Sequence, residues 1–166
     1  LNLEGVKAVG AVFRHELDAL GFATRWEDGA GFKRAGHLVA EKPGRGPRIL
    51  LIGHLDTVFE RDSPFQKFER IDSVTARGPG IIDMKGGDVI IVHALKALAA
   101  AGVLKDLAVT VIMTGDEEEP GDPRDLARKP LLDLARRHDI AIDRKSTRPE
   151  LQSPCNLVCR LLLEKK

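Results

Sequence analysis

The sequence predicts an α/β fold, and three segments support this prediction. Two continuous apolar runs, at residues 49–52 and 107–113, are typical of strands buried on both faces of a sheet. Residues 88–101 are rich in alanine, leucine and valine and are followed by Gly102, as expected for a helix that ends at a glycine. A chain of 166 residues is long enough for one domain with a sizeable core.

Composition excludes several classes of partner. Lysine and arginine number 26 against 25 acidic residues, so the net charge of +1 indicates no strongly charged partner. Aromatic residues make up 4% of the chain, which argues against a nucleic-acid surface built on base stacking. No apolar run approaches the ~18 residues of a membrane-spanning helix, and no signal peptide is visible after Leu1. We expect a soluble protein without a nucleic-acid or membrane partner, and its compartment stays open.

The first quarter of the chain predicts one helix and two strands. Residues 6–20 carry an apolar stripe at helical spacing, and residues 22–26 and 32–41 have the pattern of two strands joined across a glycine-containing turn. His37 lies in the second of these strands, and we interpret it as a half-buried strand histidine without catalytic work. Residues 42–47 contain two prolines and two glycines, which predicts a loop.

The central stretch, residues 48–58, reads R-I-L-L-I-G-H-L-D-T-V. Its apolar run ends at Gly53, and His54 and Asp56 follow, at the carboxyl end of a strand where open α/β sheets place their ligand sites. The spacing allows His54 to bind a metal through one ring nitrogen while Asp56 accepts the other N–H. The alternative is a strand end with a solvated histidine and a turn aspartate.

The second half of the chain predicts alternating strands and helices. In order, we expect a strand at residues 68–76, a glycine-rich turn at 78–87, a helix at 88–101, a strand at 107–113, a helix at 124–138 and a short strand at 140–142. His93 is interpreted as a residue on the helix face and not as a ligand. Pro130 predicts that the last helix begins later than its pattern implies, because proline lacks an N–H.

Further acids lie in the glycine-rich turn and directly after the second buried strand. Asp83 lies in the glycine-rich turn, and Glu117 and Glu118 are adjacent in the run D-E-E-E at residues 116–119. Crowded carboxylates raise each other's pKa unless a cation neutralises them. With a histidine, the set suits zinc, with manganese or cobalt as substitutes. One glutamate would ligate while the other acts as general base on a metal-activated water. The alternative is a solvated acidic loop.

Three motifs then show a family resemblance. G-H-L-D-T-V at 53–58, G-P-G-I-I-D-M-K-G-G at 78–87 and T-G-D-E-E at 114–118 resemble the N-terminal signatures of the M20 family of zinc metallopeptidases, especially its glutamate carboxypeptidase branch. The resemblance covers roughly residues 5–142. It implies a three-layer α/β/α catalytic domain around a mixed, mostly parallel sheet.

The resemblance also implies a role for each site residue. His54 binds one zinc, Asp56 buttresses His54, Asp83 bridges two zincs, Glu117 is the general base and Glu118 binds the other zinc. The implied reaction is hydrolysis of an amide bond that releases a C-terminal amino acid or deacylates an N-acyl amino acid. The implied substrate is therefore a small peptide or an N-acyl amino acid.

The end of the chain departs from the family pattern. Where the resemblance leads us to expect a further acidic zinc ligand, Arg144 and Lys145 stand instead, and Asp143 is out of register. We therefore expect residues 1–143 to form a partial catalytic domain and residues 144–166, with Cys155 and Cys159, to form an aberrant tail. Compared with the family pattern, we expect the lid and dimerisation domain to be missing from this chain, so we expect a monomer or leave the oligomeric state undecided. The alternative function is an inactive folded fragment that binds metal weakly.

Overall fold

The structure, a computed structural model, describes residues 2–143. The predicted tail at residues 144–166, with Arg144, Lys145 and both cysteines, lies outside the described residues. The α-helices are α1 (Leu3–Ala19), α2 (Gly86–Ala100) and α3 (Arg124–Arg137). The strands are β1 (Ala23–Asp28), β2 (Gly36–Lys42), β3 (Arg45–His54), β4 (Glu69–Arg70), β5 (Ala76–Arg77), β6 (Leu107–Thr114) and β7 (Ile140–Asp143).

The main sheet has five strands in the order β1-β2-β6-β3-β7. The β1–β2 and β2–β6 pairs are antiparallel, whereas β3 is parallel to both β6 and β7. The predicted mixed sheet is confirmed, although two of its four strand pairs are parallel instead of most, and both lie in the β6-β3-β7 half. Strands β4 and β5 form a separate two-stranded antiparallel sheet.

Helices cover both faces of the main sheet. Successive residues of a strand point to opposite faces, so Leu38 packs with α1 and α2 while Val39 packs with α3. Val111 and Ile112 divide in the same way on β6. Because both faces are covered, the strands carry continuous apolar runs instead of alternating ones. The α/β fold with three layers is therefore confirmed.

The helix boundaries follow from local capping. Asn2 starts α1 earlier than the apolar pattern indicated, because its side-chain Oδ1 accepts the N–H of Gly5 at 2.9 Å. Helix α3 begins at Arg124 and contains Pro130, so the expectation of a later start is wrong. The start is set by Pro123, whose extended backbone (φ −72°, ψ 138°) directly precedes the first turn. No helix within residues 2–143 is long and apolar enough to cross a membrane.

Two predicted strands differ from the observed ones. The strand expected at residues 68–76 is wrong, because β4 and β5 are two short strands joined by a turn. Asp72 builds this turn by accepting the N–H groups of Val74 and Thr75 at 2.8 and 2.7 Å. The strand expected at residues 32–41 begins at Gly36, because Ala30–Phe32 form a single 3₁₀ turn.

Candidate metal centre

The carboxyl ends of β3 and β6 meet at one edge of the sheet. These parallel neighbours run in register, with His54 opposite Thr114, and the N–H of Leu55 bonds to the carbonyl of Thr114 at 2.7 Å. The chain therefore leaves both strands at the same level and carries Asp56 in one loop and the acidic run 116–119 in the other. The structure confirms that the two strand ends lie together, as expected for parallel strands.

Two of the expected ligands and the expected general base converge at this edge. His54, Glu117 and Glu118 each present one ligand atom, and these atoms all lie within 4.8 Å of one another. The ligands of one zinc ion, each ~2.0–2.2 Å from it, are at most ~4.4 Å apart. The three side chains therefore lie close enough together to surround a bound divalent metal. One imidazole with carboxylates is also a donor set that zinc accepts, so the residues present fit a divalent metal.

Asp83 joins this group from the glycine-rich turn that precedes α2. Its Oδ1 lies 3.0 Å from Nε2 of His54, and Oε2 of Glu117 lies 4.0 Å from the same nitrogen. The Nε2 side of the imidazole therefore faces two carboxylates. The structure thus brings Asp83, His54, Glu117 and Glu118 to one place, although they come from three separate segments of the chain.

Asp56 supports both strand ends at once. Nδ1 of His54 lies 3.4 Å from Oδ1 of Asp56 and 3.2 Å from its backbone carbonyl oxygen. The same carboxylate accepts the N–H of Glu117 at Oδ1 (3.2 Å) and the N–H of Glu118 at Oδ2 (2.9 Å). Asp56 therefore orients the imidazole and also holds the backbone of the two glutamates. The motif spacing indicated the first contact, but nothing in the sequence indicated the second.

The electrostatics of the cluster favour a positive charge at its centre. Burial acts to lower the pKa of His54, but hydrogen bonds to Asp56 and Asp83 raise it to about 9. Burial acts to raise the pKa of Asp56, but the His54 imidazole and the N–H of Glu118 lower it. A proton on His54 therefore neutralises the surrounding carboxylates. A divalent cation bound among them would serve the same purpose and would displace that proton.

The alternative of a solvated acidic loop does not describe the turn after β6. Asp116 is fully buried, and its Oδ2 accepts the N–H of Gly121 at 3.1 Å. Glu119 is exposed but accepts from Nη2 of Arg34 at 3.0 Å. Nε of the same arginine donates to the Glu119 carbonyl oxygen at 2.8 Å. Arg34 was missed by sequence reasoning, because no local pattern links two residues this far apart along the chain.

The two remaining histidines of the sequence analysis lie outside this cluster. His93 is exposed on α2, as expected for a residue on the helix face. His37 is fully buried in β2, whereas half-burial was expected, because α3 and the turn after β6 cover it.

Known proteins are similar to this chain in sequence and in fold. The sequence profile of Peptidase family M20/M25/M40 matches residues 50–151. Carboxypeptidase G2 from a Pseudomonas strain is 37% identical over 119 residues, which are 71% of this chain and 29% of that protein. A tripeptidase from Staphylococcus aureus superposes with a TM-score of 0.65 at 16% identity, over 89% of this chain and 44% of that one. An M20 family metallo-carboxypeptidase from Sulfolobus solfataricus gives a TM-score of 0.65 at 20% identity, over 84% and 32%. The chain spans less than half the length of each of these relatives.

Proposed function

The chain belongs to peptidase family M20/M25/M40, and we propose that it carries metal ligands and the general base of a zinc-dependent hydrolase. The bond cleaved is the amide bond of a small peptide or an N-acyl amino acid. The observation that carries this proposal is the convergence of His54, Glu117 and Glu118, whose ligand atoms lie within 4.8 Å of one another at the end of two parallel strands.

The contacts support a division of roles among these side chains. His54 would bind the metal through Nε2, since its Nδ1 faces Asp56. Asp83, whose Oδ1 is 3.0 Å from that Nε2, would be a ligand shared between this ion and a second one. Glu118 would supply a carboxylate ligand to the second ion. Glu117 is the general base, because its side chain is one-third exposed and stands beside the imidazole.

These residues divide the chemistry of hydrolysis. A divalent ion, when bound, lowers the pKa of a water molecule toward ~7 and polarises the carbonyl of the substrate. Glu117 takes a proton at Oε2 from the water that attacks the amide carbon, and then gives it to the leaving nitrogen. Asp56 keeps the imidazole of His54 oriented throughout, since it is buried and bonded to the backbone of both glutamates.

Two cavities beside the cluster could accommodate the two ends of a small substrate. One, of about 350 Å³, is lined in part by Lys85 and Glu118 and offers a cation to a substrate carboxylate. The other, of about 420 Å³, is lined by Glu118 and by apolar side chains that include Phe59 and Ile82, and it suits an acyl group or an apolar side chain. Because Glu118 borders both cavities, an amide bond between the two groups would lie at the metal ligands.

Calorimetric titration of Zn²⁺ into the purified chain tests this proposal. We expect submicromolar binding in the wild type and an affinity reduced by roughly 10–100-fold or more in Glu118→Gln, since even changes behind the ligands cost that much. Glu4→Gln, an exposed glutamate in the first turn of α1, is the matched control and should bind normally. Absence of binding in the wild type would refute the proposal.

Hydrolysis is measured separately with an N-acyl-glutamate and a dipeptide. Glu117→Gln should fold and bind Zn²⁺ but lose turnover by roughly 10²–10⁴-fold, because the amide cannot accept the proton. Zinc binding by the wild type without any hydrolysis would favour the alternative, a folded chain that binds metal without catalysis.

A further inference from the structure

His37 joins three elements of the fold through its imidazole. It lies in β2 and is 1% exposed. Its Nε2 donates to the carbonyl oxygen of Ala127 in α3 at 3.0 Å, and its Nδ1 accepts the N–H of Gly115 at 3.2 Å. The ring also stacks on Phe32, with 5.2 Å between centroids and an interplanar angle of 16°. Both nitrogens are therefore used, and the neutral ring with its proton on Nε2 is the form that satisfies them.

The charged groups around His37 agree with this neutral form. Burial lowers the pKa of His37, and this effect exceeds the opposing effect of Asp116, whose Oδ1 lies 3.9 Å from Nδ1. The charge of Arg128 on α3 lowers the pKa further, while Glu27, opposite His37 on β1, raises it. Protonation at Nδ1 would also place two N–H groups against each other, since the N–H of Gly115 already points at that nitrogen.

The contact with Gly115 lies directly before the two glutamates of the metal centre. A side chain at Gly115 would meet the carbonyl oxygen of Gly36 at 2.4 Å, so the backbone there is seated tightly against the start of β2. Two and three residues further on, the N–H groups of Glu117 and Glu118 bond to Asp56. The turn is therefore held from β2 at one end and from the β3 loop at the other.

We propose that His37 is a positioning residue for the metal centre, which acts through its hydrogen bond to Gly115. This bond fixes the backbone from which Glu117 and Glu118 project, and the bond to Ala127 fixes the imidazole itself. The role rests on the proposed function, in which Glu118 is a metal ligand and Glu117 the base. His37 lies outside the three family motifs, so its hydrogen bond to Gly115 supports the metal centre from another part of the chain.

Two substitutions separate the two bonds of His37. In His37→Asn, the amide oxygen stands near the position of Nδ1 and keeps an acceptor for the N–H of Gly115, while the bond to Ala127 is lost. In His37→Gln, the longer side chain keeps the donor to Ala127, and the N–H of Gly115 is left unpaired. Each variant loses one hydrogen bond and the stacked ring, so their losses of unfolding free energy should be similar.

Zn²⁺ affinity, measured by titration calorimetry, should differ between these variants. We expect His37→Asn to bind within a few-fold of the wild type and His37→Gln to bind roughly 10–100-fold more weakly. His93→Gln, which removes an exposed histidine from α2, controls for adventitious zinc binding and should leave the affinity unchanged. Equal affinities in the two His37 variants would overturn the positioning role alone. Absence of Zn²⁺ binding in the wild type would overturn the proposed function and the positioning role together.

A measurement on the unaltered chain covers the case in which a variant fails to fold. With ¹⁵N-labelled histidine, the wild-type His37 should give the NMR shifts of a neutral ring protonated on Nε2, in metal-free and in zinc-loaded protein. The amide of Gly115 should also be protected from hydrogen exchange in both states. A ring protonated on Nδ1, or a rapidly exchanging Gly115 amide, would overturn the proposal.

Discussion

Asp88 is a buried carboxyl group whose ionisation should set the stability of the metal-free chain at neutral pH. It lies in the first turn of α2, is fully buried, and neither carboxyl oxygen has a hydrogen-bond partner among the described residues. Its Oδ1 is pressed against β3, where a side chain at Gly53 would come within 2.1 Å of it. Burial raises the pKa of Asp88 to about 7, although the charges of His54 and Lys85 act to lower it.

The sign and size of the effect follow from this pKa. The ordinary pKa of an aspartate is 3.8, and the folded value is about 7, so the folded chain binds more protons between these values. The contribution of Asp88 to stability is therefore fully present below pH 3.8 and is lost as the pH rises toward 7. Integrated from about pH 5 to about pH 7, the loss is about 2 kcal/mol.

Substitution Asp88→Asn isolates this contribution, since the amide does not ionise. The free energy of unfolding is measured by urea titration in the presence of a chelator, with the fluorescence of Trp26 as the probe. The wild-type value minus the variant value should fall by about 2 kcal/mol between about pH 5 and about pH 7. Taking this difference cancels the histidines that titrate in the same range.

Asp106→Asn, which changes an exposed aspartate in the turn after α2, is the control, and its difference from the wild type should not depend on pH. The reasoning is refuted when the Asp88→Asn difference is equally flat, or when it rises with pH. Either result would mean that Asp88 is ionised and stabilised in the folded chain at neutral pH.

Two further predictions concern the support of the centre and the packing of α1. Asp56→Asn should weaken Zn²⁺ binding by roughly 10–100-fold in calorimetry, because an amide has a single acceptor oxygen for the N–H groups of Glu117 and Glu118; unchanged affinity would contradict this role. Gly10→Ala should lower the thermal midpoint and cost roughly 1–3 kcal/mol of unfolding free energy, because the new methyl group would lie 2.5 Å from the ring of Trp26. This clash should outweigh the usual stabilisation of a helix by alanine. A raised midpoint would contradict this prediction.

The sequence was sufficient for features that depend on local pattern and strand direction. The apolar run before His54 predicted a strand buried on both faces, and β3 lies between β6 and β7 with helices on both sides. The family resemblance inferred from three motifs is confirmed by the match to Peptidase family M20/M25/M40. The meeting of His54 with Glu117 and Glu118 was predictable, because parallel strands end at the same edge of a sheet.

The features that were missed depend on contacts between distant parts of the chain. The bond from Gly115 to His37 joins residues 78 positions apart, and those from Glu117 and Glu118 to Asp56 span 61 and 62 positions. A single histidine in an apolar strand gives the same local sequence pattern whether or not its two ring nitrogens make hydrogen bonds. The hairpin at β4 and β5 was missed for a different reason, since its turn depends on the side chain of Asp72 and not on a glycine.

In the candidate centre, two carboxylates that bind or react are more exposed than the groups that hold them, whereas the ligand His54 is itself buried. The side chains of Asp83 and Glu117 are 42% and 34% exposed, whereas those of Asp56 and His37 are 10% and 1% exposed. Substituting an exposed carboxylate removes little packing, so variants of Asp83 and Glu117 should fold, and their loss of function reports on chemistry. Substituting a buried support leaves a polar group unpaired and costs roughly 1–3 kcal/mol. Variants of Asp56 should therefore lose function and stability together, whereas variants of Glu117 should lose function and keep their stability. Measuring both quantities on the same variants tests this difference.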